Sequence, residues 1–152
     1  MRPRPNSSPQ TLLALDFGLR RIGVATGSCI TGTASPLETI TALADQPNWQ
    51  RIHHLIKEWA PDLIVLGLPY NTDGSESDMT VAVKNFAAEL ESHFPLPIEF
   101  VDERYTSAEA ETLLREQRRK GIRNKKLKKE DVDAVAAQLI AQSWMNTAHK
   151  NS

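Results

Sequence analysis

An apolar run that ends on an aspartate and restarts five residues later constrains this chain more than any other feature. Thr11-Leu-Leu-Ala-Leu-Asp16 leads through Phe17 and Gly18 into Arg21-Ile-Gly-Val-Ala-Thr26. Two stretches joined so briefly pair antiparallel. The hairpin sets Asp16 at the end of a buried strand, where the carboxylate's lost hydration must be offset. A divalent cation shared with further carboxylates would offset it.

The rest of the chain alternates strand and helix signals. A third short strand is expected over about residues 30–34. Trp49, Ile52, His53, Ile56 and Trp59 recur at helical spacing between Pro47 and Pro61. Leu63-Ile-Val-Leu66 is apolar throughout, as in a parallel strand buried on both faces. A loop from Gly67 to Gly74 follows, then a helix over residues 77–93 marked by Val81, Phe86 and Leu90, then a strand over 98–102. Thr106-Ser-Ala-Glu109 reads as a capping box opening another helix. Glu130 and Asp131 open the last one, with Val132, Val135, Ala136, Leu139, Ile140 and Ser143 as its inward stripe. Trp49, Trp59 and Trp144 fit packing roles. This order predicts an α/β domain over residues 11–146, a mixed sheet covered by helices. Residues 1–10, with three of the nine prolines, and residues 147–152 read as tails.

The totals remove several classes. The 152 residues contain no apolar run long enough to span a bilayer, so no membrane partner is expected. Cys29 is the only cysteine, which excludes an intrachain disulfide or a cysteine cluster and suits a cytoplasmic location. The net charge of -1 hides a strong asymmetry. Residues 115–129 hold nine basic side chains and one acid, a local charge of +8 against −9 elsewhere. Within a segment of about 117–129, Arg118, Arg119, Lys120, Arg123, Lys125, Lys126, Lys128 and Lys129 form a patch suited to a phosphate backbone. No aromatic residue interrupts it, so base stacking is not its mode.

Four carboxylates stand where chemistry could use them: Asp16, Asp102, Glu103 and Asp133. Asp102 and Glu103 alternate faces if their strand continues, and spacing does not choose between them. Asp133 falls on the face of the last helix shared with Ala136, Ala137 and Ile140, where the alanines allow close approach to a sheet. Each acid alone could be a turn cap or a dipole partner. Converged, they could hold Mg²⁺ or Mn²⁺ and support phosphodiester hydrolysis without a protein nucleophile. Gly18 and Gly23 are expected to serve the tight hairpin or, alternatively, to admit a phosphate backbone closely, and the four histidines to lie on the surface.

Taken together, several short motifs resemble the YqgF/RuvX family in the right order. They are Leu15-Asp16-Phe17-Gly18 with Arg21-Ile22-Gly23-Val24-Ala25, Thr31-Gly32-Thr33-Ala34, Gly67-Leu68-Pro69 with Asn71 and Asp73-Gly74, Asp102-Glu103-Arg104-Tyr105-Thr106-Ser107, and Asp133-Ala-Val-Ala136-Ala137. The resemblance implies a ribonuclease-H-like fold, with three antiparallel strands followed by parallel ones and helices on both faces. It implies a metal-dependent nuclease acting in 5′-end processing of pre-16S ribosomal RNA, or alternatively a Holliday junction resolvase on DNA. A non-catalytic RNA-binding assembly factor is the third reading. Carried over by position, the resemblance makes Asp16, Glu103 and Asp133 the catalytic and metal-binding acids and leaves Asp102 open as a fourth ligand. The chain departs from the wider superfamily at Gly67-Leu68-Pro69, where a carboxylate often ends the fourth strand. Junction cleavage would require a symmetric dimer; the sequence leaves the oligomeric state open.

Overall fold

β1 (Thr11–Phe17) and β2 (Arg21–Ser28) form the expected antiparallel hairpin in the computed structural model, which describes residues 9–103 and 129–150. β3 (Thr33–Thr41) pairs antiparallel with β2. The chain then crosses over through α1 (Trp49–Trp59) to β4 (Leu63–Leu68), and through α2 (Asp78–His93) to β5 (Ile98–Asp102). The last helix, α3, spans Lys129–Lys150. The five-stranded sheet has the order β3-β2-β1-β4-β5, with β4 parallel to both β1 and β5. This is the ribonuclease-H-like arrangement. The capping box at 106–109 and the basic segment up to residue 128 lie outside the described residues; Lys129 opens α3.

Side-chain alternation along the strands sorts the core into two layers. Leu13, Leu15, Ile22, Val24, Ile64 and Leu66 face α1 and α2, where Ile52, Leu55, Val83, Phe86 and Leu90 cover them. Leu12, Ala14, Ala25, Leu63 and Val65 face α3, which supplies Ala137, Ile140, Ala141 and Met145. β4 is buried at all six positions, as its unbroken apolar sequence requires.

Three local expectations need correction. The third strand begins at Thr33, not near residue 30, because β2 runs on to Ser28 and a turn through Gly32, at φ 71°, reverses the chain. Ile30 is left 74% exposed in that turn. Pro36 sits within β3 at a register shift opposite Val24 and Ala25. An edge strand with a bulge tolerates a residue that cannot donate. Second, α2 does not bury Val81, which is 50% exposed. Its inward face is Thr80, Val83, Phe86, Ala87 and Leu90. The Ser77–Thr80 capping box and a bond from Thr80 Oγ1 to the Pro69 carbonyl fix the rotation of the first turn. Third, α3 is turned so that Ala134, Ala137, Ile140, Ala141 and Met145 are buried while Val132 is exposed and Ala136 and Ser143 are half-buried. Of the tryptophans, Trp49 packs against Phe86 and Trp144 joins the α3 layer, but Trp59 at the end of α1 is largely exposed.

Candidate active site

The C-terminal end of β1 is where the acids gather. Asp16 has the alternation of Leu12 and Ala14, so it faces α3. Its antiparallel neighbour on β2 is Gly23. A Cβ built at Gly23 would lie 2.0 Å from the carbonyl oxygen of Asp133 and 2.4 Å from its carbonyl carbon. The first part of α3 therefore rests directly on bare strand backbone, which brings Asp133 beside Asp16. Gly23 is not a turn glycine; it is the floor under the helix. The expectation of a turn role holds for Gly18, where a Cβ would meet the Arg21 carbonyl at 2.8 Å.

A second glycine admits the other acid. On the opposite side of β1, β4 lies between Asp16 and β5. Two strand spacings amount to about 9–10 Å. Glu103, just past β5, crosses that gap by lying over Gly67: a Cβ there would meet Glu103 Cγ at 2.6 Å and Cδ at 2.7 Å. Its carboxylate hydrogen-bonds with Asp16. The missing side chain at Gly67 lets the long acid reach in from the end of the next strand. Val101, which has the same alternation as Glu103, packs in the α3 layer. Asp102 pairs opposite Leu68, a member of the other layer. Alternation thus aims Glu103 at Asp16 and Asp102 away from it. Asp102 has interactions of its own.

The electrostatics follow from this crowding. The Asp16 carboxyl is pushed up from 3.8 to about 9, first by burial, then by its hydrogen bond with Glu103, then by the negative charges of Glu103 and Asp133. A proton thus occupies the place a cation would fill between two carboxylates. Asp133 is held by Arg21, whose Nε donates to its Oδ2 at 2.8 Å. Among the described residues, no three acidic, histidine or cysteine side chains close on a single point. Two carboxylates share a hydrogen bond, and the third lies within electrostatic reach, held by an arginine. All the donors are hard oxygens, which fits a Mg²⁺- or Mn²⁺-type cation and not a soft one.

Sequence reasoning found the acids but missed the three residues that position them: Gly23, Gly67 and Arg21. The alternation Gly23-x-Ala25-x-Gly27 was the available signal, since small residues on one strand face mark a closely packed helix. Gly67→Ala offers a direct check. Its Cβ would strike the outer atoms of Glu103 and also Ile140 Cδ1 at 2.6 Å, all side-chain atoms that can move. The expected cost in stability is about 1–2 kcal/mol, while metal-dependent cleavage falls about 10-fold or more because Glu103 is displaced. Unchanged cleavage would remove Glu103 from the site.

A mixed sheet with an acid at the end of its first strand, approached by one from just past β5 and one from the last helix, defines a ribonuclease-H-like domain of the nucleic-acid-cleaving class. The RuvX family profile, described as Holliday junction resolvase, matches residues 10–147. The chain belongs to this family. A Saccharophagus degradans protein named "Putative pre-16S rRNA nuclease" is 45% identical over 135 residues, covering 89% of this chain and 92% of that protein. A protein of the same name from Glaesserella parasuis is 47% identical over 135 residues, covering 89% and 95%. Among solved structures, the Fowlpox virus resolvase with Holliday junction DNA aligns with a TM-score of 0.58 at 12% identity, covering 91% of this chain and 98% of that one. T. thermophilus RuvC with a Holliday junction substrate aligns at 0.52, also at 12% identity, covering 92% and 96%. At such identities the likeness shows the fold alone.

Proposed function

We propose that this chain is a divalent-metal-dependent nuclease that trims the 5′ end of pre-16S ribosomal RNA. The observation that carries the reading is the hydrogen-bonded Asp16–Glu103 pair, with Asp133 close enough to raise Asp16 further. Two half-buried carboxyls in contact are costly unless something positive joins them. Asp16, Glu103 and Asp133 would hold Mg²⁺ or Mn²⁺. Such an ion, when bound, polarises a phosphoryl oxygen and makes water a better nucleophile. The RNA substrate is favoured over a DNA junction by the relatives at 45–47% identity, which bear the pre-16S name over nearly their whole length. No helix among the described residues is long and apolar enough to cross a membrane.

The test is incubation of the pure full chain with a 5′-extended pre-16S fragment and with a four-way DNA junction, each with Mn²⁺, Mg²⁺ or chelator. Metal-dependent removal of the RNA extension is the expected result. Cleavage confined to the junction would replace this reading with resolution, and tight RNA binding without any cleavage would leave an assembly factor. The basic run supplies a separate expectation. Neutralising Arg118, Arg119, Lys120, Arg123, Lys125, Lys126, Lys128 and Lys129 should weaken RNA binding about 10-fold or more. The slope of log affinity against log salt should flatten by about 0.7–0.9 per lost phosphate contact. An unaltered slope would remove the run from the RNA interface.

A further inference from the structure

Among the described residues, Arg21 is bound to the acidic site by one of its donors. It opens β2 and has the alternation of Gly23 and Ala25, so it stands on the α3 face beside the end of β1. Its Nε donates to Asp133 Oδ2 at 2.8 Å. A guanidinium carries five N–H donors in a rigid planar fork. The four on Nη1 and Nη2 have no hydrogen-bond partner among the described residues, and neither does Asp133 Oδ1. The Arg21 side chain is 34% exposed and that of Asp133 27%, so the pair lies at the rim of the acid cluster and not beneath it. A structural ion pair is completed when one edge of the fork meets both carboxylate oxygens, as Arg51 does with Glu38 through Nε and Nη2. Arg21 spends its inner donor on Asp133 and leaves its Nη edge without a partner among the described residues.

Resting on the nuclease reading, we propose that Arg21 is a catalytic phosphate-gripping residue: Nε holds Asp133 while the Nη edge receives the non-bridging oxygens of the scissile phosphate. A site lined by carboxylates repels the phosphate it must bind, and one fixed cation at its rim counters that repulsion where the substrate enters. The Nη donors also match the charge that grows on the phosphoryl oxygens as reaction proceeds. In that hydrolysis a P–O bond forms from water and the P–O bond to the leaving sugar oxygen breaks. The water's proton passes to a carboxylate or solvent, and the sugar oxygen takes one up. Arg21 exchanges no proton, since it stays cationic throughout.

The test compares wild type, Arg21→Lys, Arg21→Gln and Asp16→Asn in the full chain. It measures kcat and KM on the RNA fragment, Mn²⁺ affinity by calorimetry without RNA, and thermal melting. Arg21→Gln should lower kcat about 100-fold or more, with Mn²⁺ affinity and melting temperature near those of wild type. Arg21→Lys, which keeps the charge but loses the fork, should recover only part of that loss. If Arg21→Gln cleaves within about 3-fold of wild type, the proposal is overturned. If kcat falls only in step with Mn²⁺ affinity, Arg21 merely props Asp133, and the proposal is overturned as well. Should Arg21→Gln melt early, Arg21→Lys decides: full activity there removes the need for a fork. A wild type as inactive as Asp16→Asn refutes the nuclease reading itself, a result distinct from failure at Arg21.

Discussion

Asp16→Asn is expected to abolish metal-dependent cleavage, by on the order of 10³-fold or more, equivalent to about 4 kcal/mol of activation free energy, and to make the metal-free protein more stable at pH 8. The two effects share one cause. Asp16 is forced beside Glu103 and near Asp133, and its carboxyl is raised from 3.8 to about 9. Folding thus favours the protonated form. The stability from that preference is fully present below about pH 4 and is lost as pH rises toward 9. Metal-free wild type should therefore melt progressively lower across that window. Asparagine keeps a neutral side chain that can still donate to Glu103, so the variant lacks this slope. At pH 8 its melting temperature should exceed that of wild type by about 3–6 °C, for a relief of about 1–2 kcal/mol; near pH 4 the two should converge. Adding Mn²⁺ should stabilise wild type and leave the variant unmoved. Parallel melting profiles with pH, or full cleavage by Asp16→Asn, would sink the assignment.

Gly23→Ala should damage both the fold and the chemistry. One methyl group would sit 2.0 Å from the Asp133 carbonyl oxygen and 3.1 Å from the Ala134 nitrogen, and these are backbone atoms of a helix. No side-chain rotation relieves that overlap, so the start of α3 must lift off the sheet. The expected cost is about 3 kcal/mol, a fall in melting temperature of about 6–12 °C. Displacing Asp133 by about 1 Å should lower cleavage about 100-fold. Gly27→Ala is the control on the same strand face. Its Cβ would approach only the side-chain atoms of Leu12, at 3.1 Å or more, which can shift by a few tenths of an ångström. Near-equal melting temperatures for the two variants would mean that α3 does not depend on bare backbone at Gly23.

The legible parts were those governed by local periodicity. β1, β2, β4 and β5 follow from runs whose neighbours break them cleanly, and α1 and α2 from helical spacing framed by proline or a cap. β3 was misplaced because its pairing depends on β2 and its Pro36 is tolerated only at a bulged edge. Hydrophobicity alone points Val81 and Val132 inward, yet both are exposed. The rotation of α2 is set instead by the buried Thr80 hydroxyl, and that of α3 by the small residues beneath it. The acids were visible as strand-end and helix-start residues, but their company was not. Nothing near Gly67 in sequence says that Glu103 will lie across it.

The chain's own order of residues determined the strand and helix inventory, the position of Asp16 at a strand end and the concentration of positive charge before the last helix, because each depends on neighbours within a few residues. Tertiary structure alone decided which of Asp102 and Glu103 turns toward Asp16, that Asp133 arrives beside it, and that Arg21 restrains Asp133. Those outcomes depend on side-chain alternation counted across three strands and on how closely a helix can approach a glycine. Electrostatic interactions between residues up to 117 positions apart, as for Asp16 and Asp133, leave no mark in local periodicity.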